Sequence, residues 1–209
     1  MAAGDIHMID RIQLSTADGE TLEARWDRPE SPAGAVVFCH PHPQQGGTMM
    51  APLMVAVTTR LVERGFSVLR FNFRGIGAST GTHDHGKAEM LDVAAAVKSA
   101  HETGLSIHLS GWSFGAATAL RWLGGQQDPI PYAGIAPSPE KLPDDLPPGQ
   151  KRIVVGTRDQ VVDVEGIRAY AERLSIDLVL TPGDHFFHGR GKKIGDLVAQ
   201  GFEPASNSV

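Results

Sequence analysis

The chain has a single cysteine, Cys39, among its 209 residues, so an internal disulfide is excluded and a reducing cytoplasm is the expected location. It also lacks an excess of positive charge. The formal net charge is −5, which argues against a nucleic-acid partner. No run approaches the roughly 18 apolar residues of a membrane span, so no membrane partner is expected. The stretch "MAAGDIHMIDRIQL" has no basic segment followed by an apolar one, and no signal peptide is expected there. Internal repeats and a second-domain boundary are both missing. The apolar fraction of 41% and charged fraction of 21% are those of a globular protein with a true core.

What is present is an alternation of strand and helix signals. "TLEARWD" (21–27) alternates like a half-exposed strand, and "GAVVFCH" (34–40) is continuously apolar like a buried parallel one. A helix follows, with Leu53, Val57 and Leu61 at helical spacing, Pro52 near its start and Gly65 past its end. "FSVLRFNF" (66–73) reads as a strand. Met90, Val93, Ala94 and Val97 mark one face of the next helix. "IHLSGW" and "FGAATALRWLGG" form a strand and a helix in direct succession. "YAGIA" (132–136), "QKRIVVGT" (150–157) and "IDLVL" (176–180) are further strands. Val164, Ile167, Ala171 and Leu174 mark a helix, and "KKIGDLVAQ" is the last one. Such repetition predicts an α/β fold, a mostly parallel sheet with helices on both faces. A single domain over 1–203 is expected, with 204–209 a frayed tail.

The stretch "IHLSGWSFGAATAL" places Ser113 between strand and helix, flanked by Gly111 and Gly115. That corner demands a strained backbone and glycines that let strand and helix close together. It presents a hydroxyl as a nucleophile. A serine needs a base oriented by a carboxylate. Asp159 lies just beyond the strand in "IVVGTRDQVVD", with Asp163 and Glu165 as weaker candidates. His185 lies beyond the next strand in "LVLTPGDHFFHG", with His188 as its rival; Asp184, adjacent to His185, is badly placed to orient it. For the developing oxyanion, one donor is the Phe114 N–H. The other falls in "CHPHPQQGGTMM": Pro41 and Pro43 have no N–H, which selects His42, with Gln44 and Gln45 in reserve.

With "HPHPxxGGTM", "RFNFRGIGASTG", "GWSFG" and "DHFFHG" in this order, the chain resembles small bacterial α/β hydrolases of the dienelactone-hydrolase-like kind, in particular their short lidless members, from about Gly34 to Arg190. The resemblance implies the α/β-hydrolase fold without a lid domain, Ser113 as nucleophile, Asp159 as acid and His185 as base. Dienelactone hydrolase itself uses cysteine; serine here points to a general carboxylic ester.

The histidine groups "HPH" (40–42), "HDH" (83–85) and "HFFH" (185–188) lack the His-Glu-x-x-His arrangement, so no metal is expected. "GIGASTG" (75–81) has Thr80 where a dinucleotide fingerprint needs Gly or Ala; it is taken as a turn passing close to the Ser113 corner. Cys39, Phe186 and Phe187 are taken as packing residues. The expected function is hydrolysis of short-acyl carboxylic esters through an acyl-enzyme, without cofactor. The expected partner is a small-molecule ester, and a homodimer stays open. An amidase or peptidase of the same fold and a non-catalytic binding protein are the alternatives. Between 137 and 149 five of 13 residues are proline, which leaves no amphipathic helix to cover a long acyl chain.

Overall fold

The computed structural model describes residues 8–139 and 142–202. Eight strands, β1 (Met8–Ser15), β2 (Thr21–Arg28), β3 (Gly34–Cys39), β4 (Phe66–Phe71), β5 (Ile107–Trp112), β6 (Tyr132–Ile135), β7 (Lys151–Gly156) and β8 (Asp177–Thr181), form one sheet. Its order is β1-β2-β4-β3-β5-β6-β7-β8. β1 and β2 run antiparallel to their neighbours, and all other pairs are parallel. The helices are α1 (Pro52–Glu63), α2 (Glu89–His101), α3 (Phe114–Gly124), α4 (Val164–Arg173) and α5 (Gly191–Gln200). α1 packs with α5, while α2 packs with α3, and the sheet is covered on both faces. This is the α/β-hydrolase fold.

The central strands β3 and β5 are buried at every residue, as their unbroken apolar runs require of strands covered twice. Each buried Val, Leu or Phe contributes about 1.5–3 kcal/mol. α1 begins with Pro52 in its first turn and is stopped before Gly65, whose φ is +87°.

Two expectations need correction. β1 was not among the predicted strands: its Met8 and Ile9 are exposed and only Leu14 is buried, so an edge strand that covers little core carries little apolar signal. The inner face of α2 is also rotated from the predicted one. Its buried residues include Glu89 and Asp92, whereas Met90 and Ala94 are only half-buried. The two carboxylates turn inward because they have partners there. Asp92 accepts from Arg74 N, Nε and Nη2 at 2.7–3.0 Å, and Glu89 accepts from Asp84 N and Gly86 N at 2.8 and 2.7 Å.

The described residues between β6 and β7 form no helix or strand. Among the described residues no helix is long and apolar enough to cross a membrane. The expected tail at 204–209 lies outside the described residues.

Candidate active site

Loops at the carboxyl ends of β3, β5, β7 and β8 converge on Ser113. The serine has φ +54° and ψ −118°, a left-handed angle that few side-chain-bearing residues adopt. It is the N-cap of α3, where a serine hydroxyl normally bonds the helix amides. Here it makes no such bond. The strained angle turns the hydroxyl away from the capping position and leaves it free.

Both flanking glycines are needed. A Cβ on Gly111 would lie 2.5 Å from Ala116 N, inside the first turn of α3. On Gly115 it would run into the carbonyl oxygens of Cys39 and His40. The second glycine thus lets the helix close onto the end of β3, the strand that leads into the His42 loop.

Asp159 and His185 meet across the ends of β7 and β8. His185 Nδ1 donates to Asp159 Oδ2 at 2.8 Å, and the Asp159 carboxylate is fully covered. The other oxygen, Oδ1, accepts from Val161 N and Val162 N at 2.9 and 3.1 Å. Three donors therefore hold the carboxylate in place. Gly156 is what lets the two loops touch: a Cβ there would meet the Gly183 oxygen at 2.6 Å. Trp112 Nε1 donates to the His185 carbonyl at 3.1 Å, tying the residue before the serine to the histidine loop. No hydrogen bond joins Ser113 Oγ to His185 in this structure; such contacts commonly tighten only with substrate.

The weaker candidates are exposed or engaged elsewhere. Asp163 and Glu165 are exposed at the start of α4, where Glu165 pairs with Arg168. His188 is exposed and stacks on Phe186. Asp184 accepts from Phe186 N and Phe187 N. Phe187 is buried, as expected of packing, but Phe186 is half exposed beside His185.

His42 N–H and Phe114 N–H are the two expected oxyanion donors. Among the described residues neither donates to a protein acceptor. Gln44 N–H donates to His42 Nδ1 at 3.2 Å and Gln45 N–H to the His42 carbonyl at 3.0 Å, so both reserve donors are spent. His40 anchors this loop from below. Its Nδ1 donates to the Pro41 carbonyl at 2.7 Å, and its Nε2 accepts from Phe73 N–H at 3.0 Å. Loss of hydration lowers its pKa from 6.5 to about 4 and keeps it neutral. Cys39, fully buried, has its thiol pushed up by the same cause and is inert packing.

The "GIGASTG" turn lies elsewhere than expected. A Cβ on Gly77 would strike Asn72 and Glu23, and one on Gly81 would strike Glu20. Its glycines fit the loop against β2 and its approach, not against Ser113. Among the described residues no three His, Cys, Asp or Glu side chains are placed to share a metal ion.

A cavity of about 350 Å³ opens beside Ser113 and Phe114, lined by His42, His83, His85 and Arg121 among others. Apart from His42, these side chains were not among the predicted site residues. Arg121 had a legible signal: Ser113, Ala117 and Arg121 follow at four-residue spacing on one helix face. His83 and His85 stand out in the sequence only as the "HDH" group weighed for a metal, and nothing in their loop places them at this cavity.

The fold and the Ser113 corner define a lidless α/β serine hydrolase. A family model described as serine aminopeptidase, S33 (Hydrolase_4) matches residues 30–148, and the chain belongs to that family. The chain is similar to a structure from Xanthomonas campestris described as an a/b serine hydrolase without lid. The identity is 27%, the TM-score 0.82, and 92% of this chain and 93% of that one are covered. An alpha-beta serine hydrolase homologue from Coxiella burnetii is 29% identical with a TM-score of 0.82, covering 93% of this chain and 97% of its own. The uncharacterized protein RP471 of Rickettsia prowazekii (strain Madrid E) is 29% identical over 198 residues, 85% of this chain and 82% of its own length.

Proposed function

We propose that the protein hydrolyses short-acyl carboxylic esters through an acyl-enzyme, with Ser113 as nucleophile, His185 as base and Asp159 as its orienting acid. The observation that carries this is the buried 2.8 Å bond from His185 to Asp159, tied through Trp112 to an uncapped, strained serine. His185 Nε2 takes the Ser113 proton as Oγ attacks the ester carbonyl. The oxyanion receives the N–H groups of His42 and Phe114, at the positive end of α3. The C–O bond breaks, and the imidazolium protonates the leaving alcohol. Water, deprotonated by His185, then attacks the acyl-enzyme and releases the acid.

The family's description favours a second reading, an aminopeptidase. Such an enzyme must hold an α-ammonium group, ordinarily with a carboxylate. Among the described residues the cavity beside Ser113 carries a guanidinium and imidazoles in its lining and no carboxylate, which supports the ester reading. The test is labelling with a fluorophosphonate probe, with rates on p-nitrophenyl butyrate and on amino-acid p-nitroanilides. Ser113→Ala should abolish labelling and lower kcat by about 10⁴-fold or more. Faster turnover of the anilides than of the ester favours the aminopeptidase. A folded protein that takes no label is a binding protein.

A further inference from the structure

The cavity beside Ser113 is polar where a pocket for an alkyl chain would be apolar. Among the described residues its one permanent charge is Arg121. Burial, and then the neighbouring imidazoles, push His42 toward its neutral form. Arg121 also has hydrogen-bonding capacity to spare. Only Nη2 finds an acceptor among the described residues, Thr118 Oγ1 at 3.1 Å, while Nε has none. The guanidinium is nevertheless held in place. Gly86, at φ +82°, lies directly against it, and a Cβ there would collide with Nη2. Buried Glu89 fixes that loop by accepting from Asp84 N and Gly86 N. Glu89 attracts Arg121 electrostatically but forms no ion pair with it, and it lies outside the cavity lining. Its carboxylate faces His83, whose Nδ1 is 2.6 Å from Oε1 without hydrogen-bond geometry. Between Ser113 and Arg121 stands Ala117, whose methyl leaves the space open.

We infer that this cavity is an acyl pocket for a short chain ending in a carboxylate, with Arg121 as its anchor, so that half-esters of small dicarboxylic acids are preferred substrates. The inference rests on Ser113 being the acylated nucleophile. Two helical turns separate Ser113 from Arg121, about 12 Å along the axis. The arginine side chain leans back toward the helix start. The remaining gap suits a bridge of about two to four methylenes between ester and carboxylate. A guanidinium fork matches a carboxylate in shape as well as charge.

The test compares monoethyl glutarate with ethyl 4-carbamoylbutanoate, a neutral ester of the same shape, by ethanol release at pH 7.5. The expected kcat/KM ratio in the wild type is about tenfold or more in favour of the anion, carried mainly by KM. In Arg121→Gln the ratio should fall to about one, and Arg121→Lys should restore part of it. A wild-type ratio of one or less, or an unchanged ratio in Arg121→Gln, overturns the inference. If Arg121→Gln does not fold, inhibition of wild-type p-nitrophenyl acetate hydrolysis decides: glutarate should inhibit more strongly than neutral glutaramide, and equal inhibition overturns it. Turnover of neither ester by a protein that the fluorophosphonate labels at Ser113 refutes the acyl-carboxylate pocket alone; absence of labelling refutes the serine-hydrolase reading with it.

Discussion

Exchanging His42 for proline and, separately, for alanine isolates one backbone N–H. His42 has φ −53°, inside the range that a proline ring imposes, so proline matches the backbone angle there. Both substitutions remove the imidazole, which accepts from Gln44 N–H and lies 5.1 Å from the Phe114 ring. Losing a cap of that kind costs about 0.5–2 kcal/mol of local stability. The loss falls on loop order and is the same in both variants. Only proline also removes the N–H, which among the described residues donates to no protein acceptor and is free for an oxyanion. One missing oxyanion donor costs about 2.7–4 kcal/mol in the transition state, or about 10²–10³ in kcat. His42→Ala should therefore stay within about tenfold of wild type, and His42→Pro should fall about 10²–10³-fold below His42→Ala. The donor acts on charge that develops only in the transition state, so KM should move little. Initial rates on p-nitrophenyl acetate give both constants, with thermal melts to confirm folding. Equal large losses would mean that the imidazole is the working group, and a near-normal proline variant would place the donor elsewhere.

Acid should weaken the fold through His40. Unfolded, it takes up a proton near pH 6.5, but folded only near 4, so its contribution is complete above pH 6.5 and is lost as pH falls towards 4, about 3 kcal/mol in all. Urea titrations at pH 7.5 and 4.5 should show this loss in the wild type and a smaller one in His40→Gln; identical losses refute it. Asp159→Ala should lower kcat by about 10⁴-fold while Asp163→Ala, at an exposed residue, stays near wild type; the reverse pattern in p-nitrophenyl ester assays overturns the acid assignment. Across p-nitrophenyl esters of rising acyl length, kcat/KM should peak at about two to six carbons, since a site without a cover gains about 0.8 kcal/mol only for methylenes it buries; an optimum at ten or more contradicts this. Gly115→Ala should lower both melting temperature and activity, because its Cβ would collide with the His40 and Cys39 carbonyls, an overpacking cost of about 1–3 kcal/mol; an unchanged melt and rate would show that the approach is looser.

Much of this architecture is legible in the chain itself. Strands β3 and β5 are buried on both faces, so their apolar runs are unbroken. The serine corner is equally legible, because tight strand-to-helix closure admits only glycine at 111 and 115. Ser113 directly follows β5, Asp159 and His185 lie in the loops just past β7 and β8, and a parallel sheet brings such positions to one edge. Other features exist only in three dimensions. β1 buries too little to announce itself, and the inward carboxylates of α2 look like solvent-facing ones until Arg74 and the Gly86 loop are seen across from them. Gly156 is an ordinary strand-end glycine in the sequence, yet its missing side chain is what lets the Asp159 and His185 loops touch. The character of the pocket was the least legible. His83 and His85 reach the cavity beside Ser113 through a loop with no periodicity, and the charge that Arg121 presents depends on which groups surround it. Local spacing determines which residues can share a strand, a corner or a helix face; only tertiary packing decides what stands opposite them.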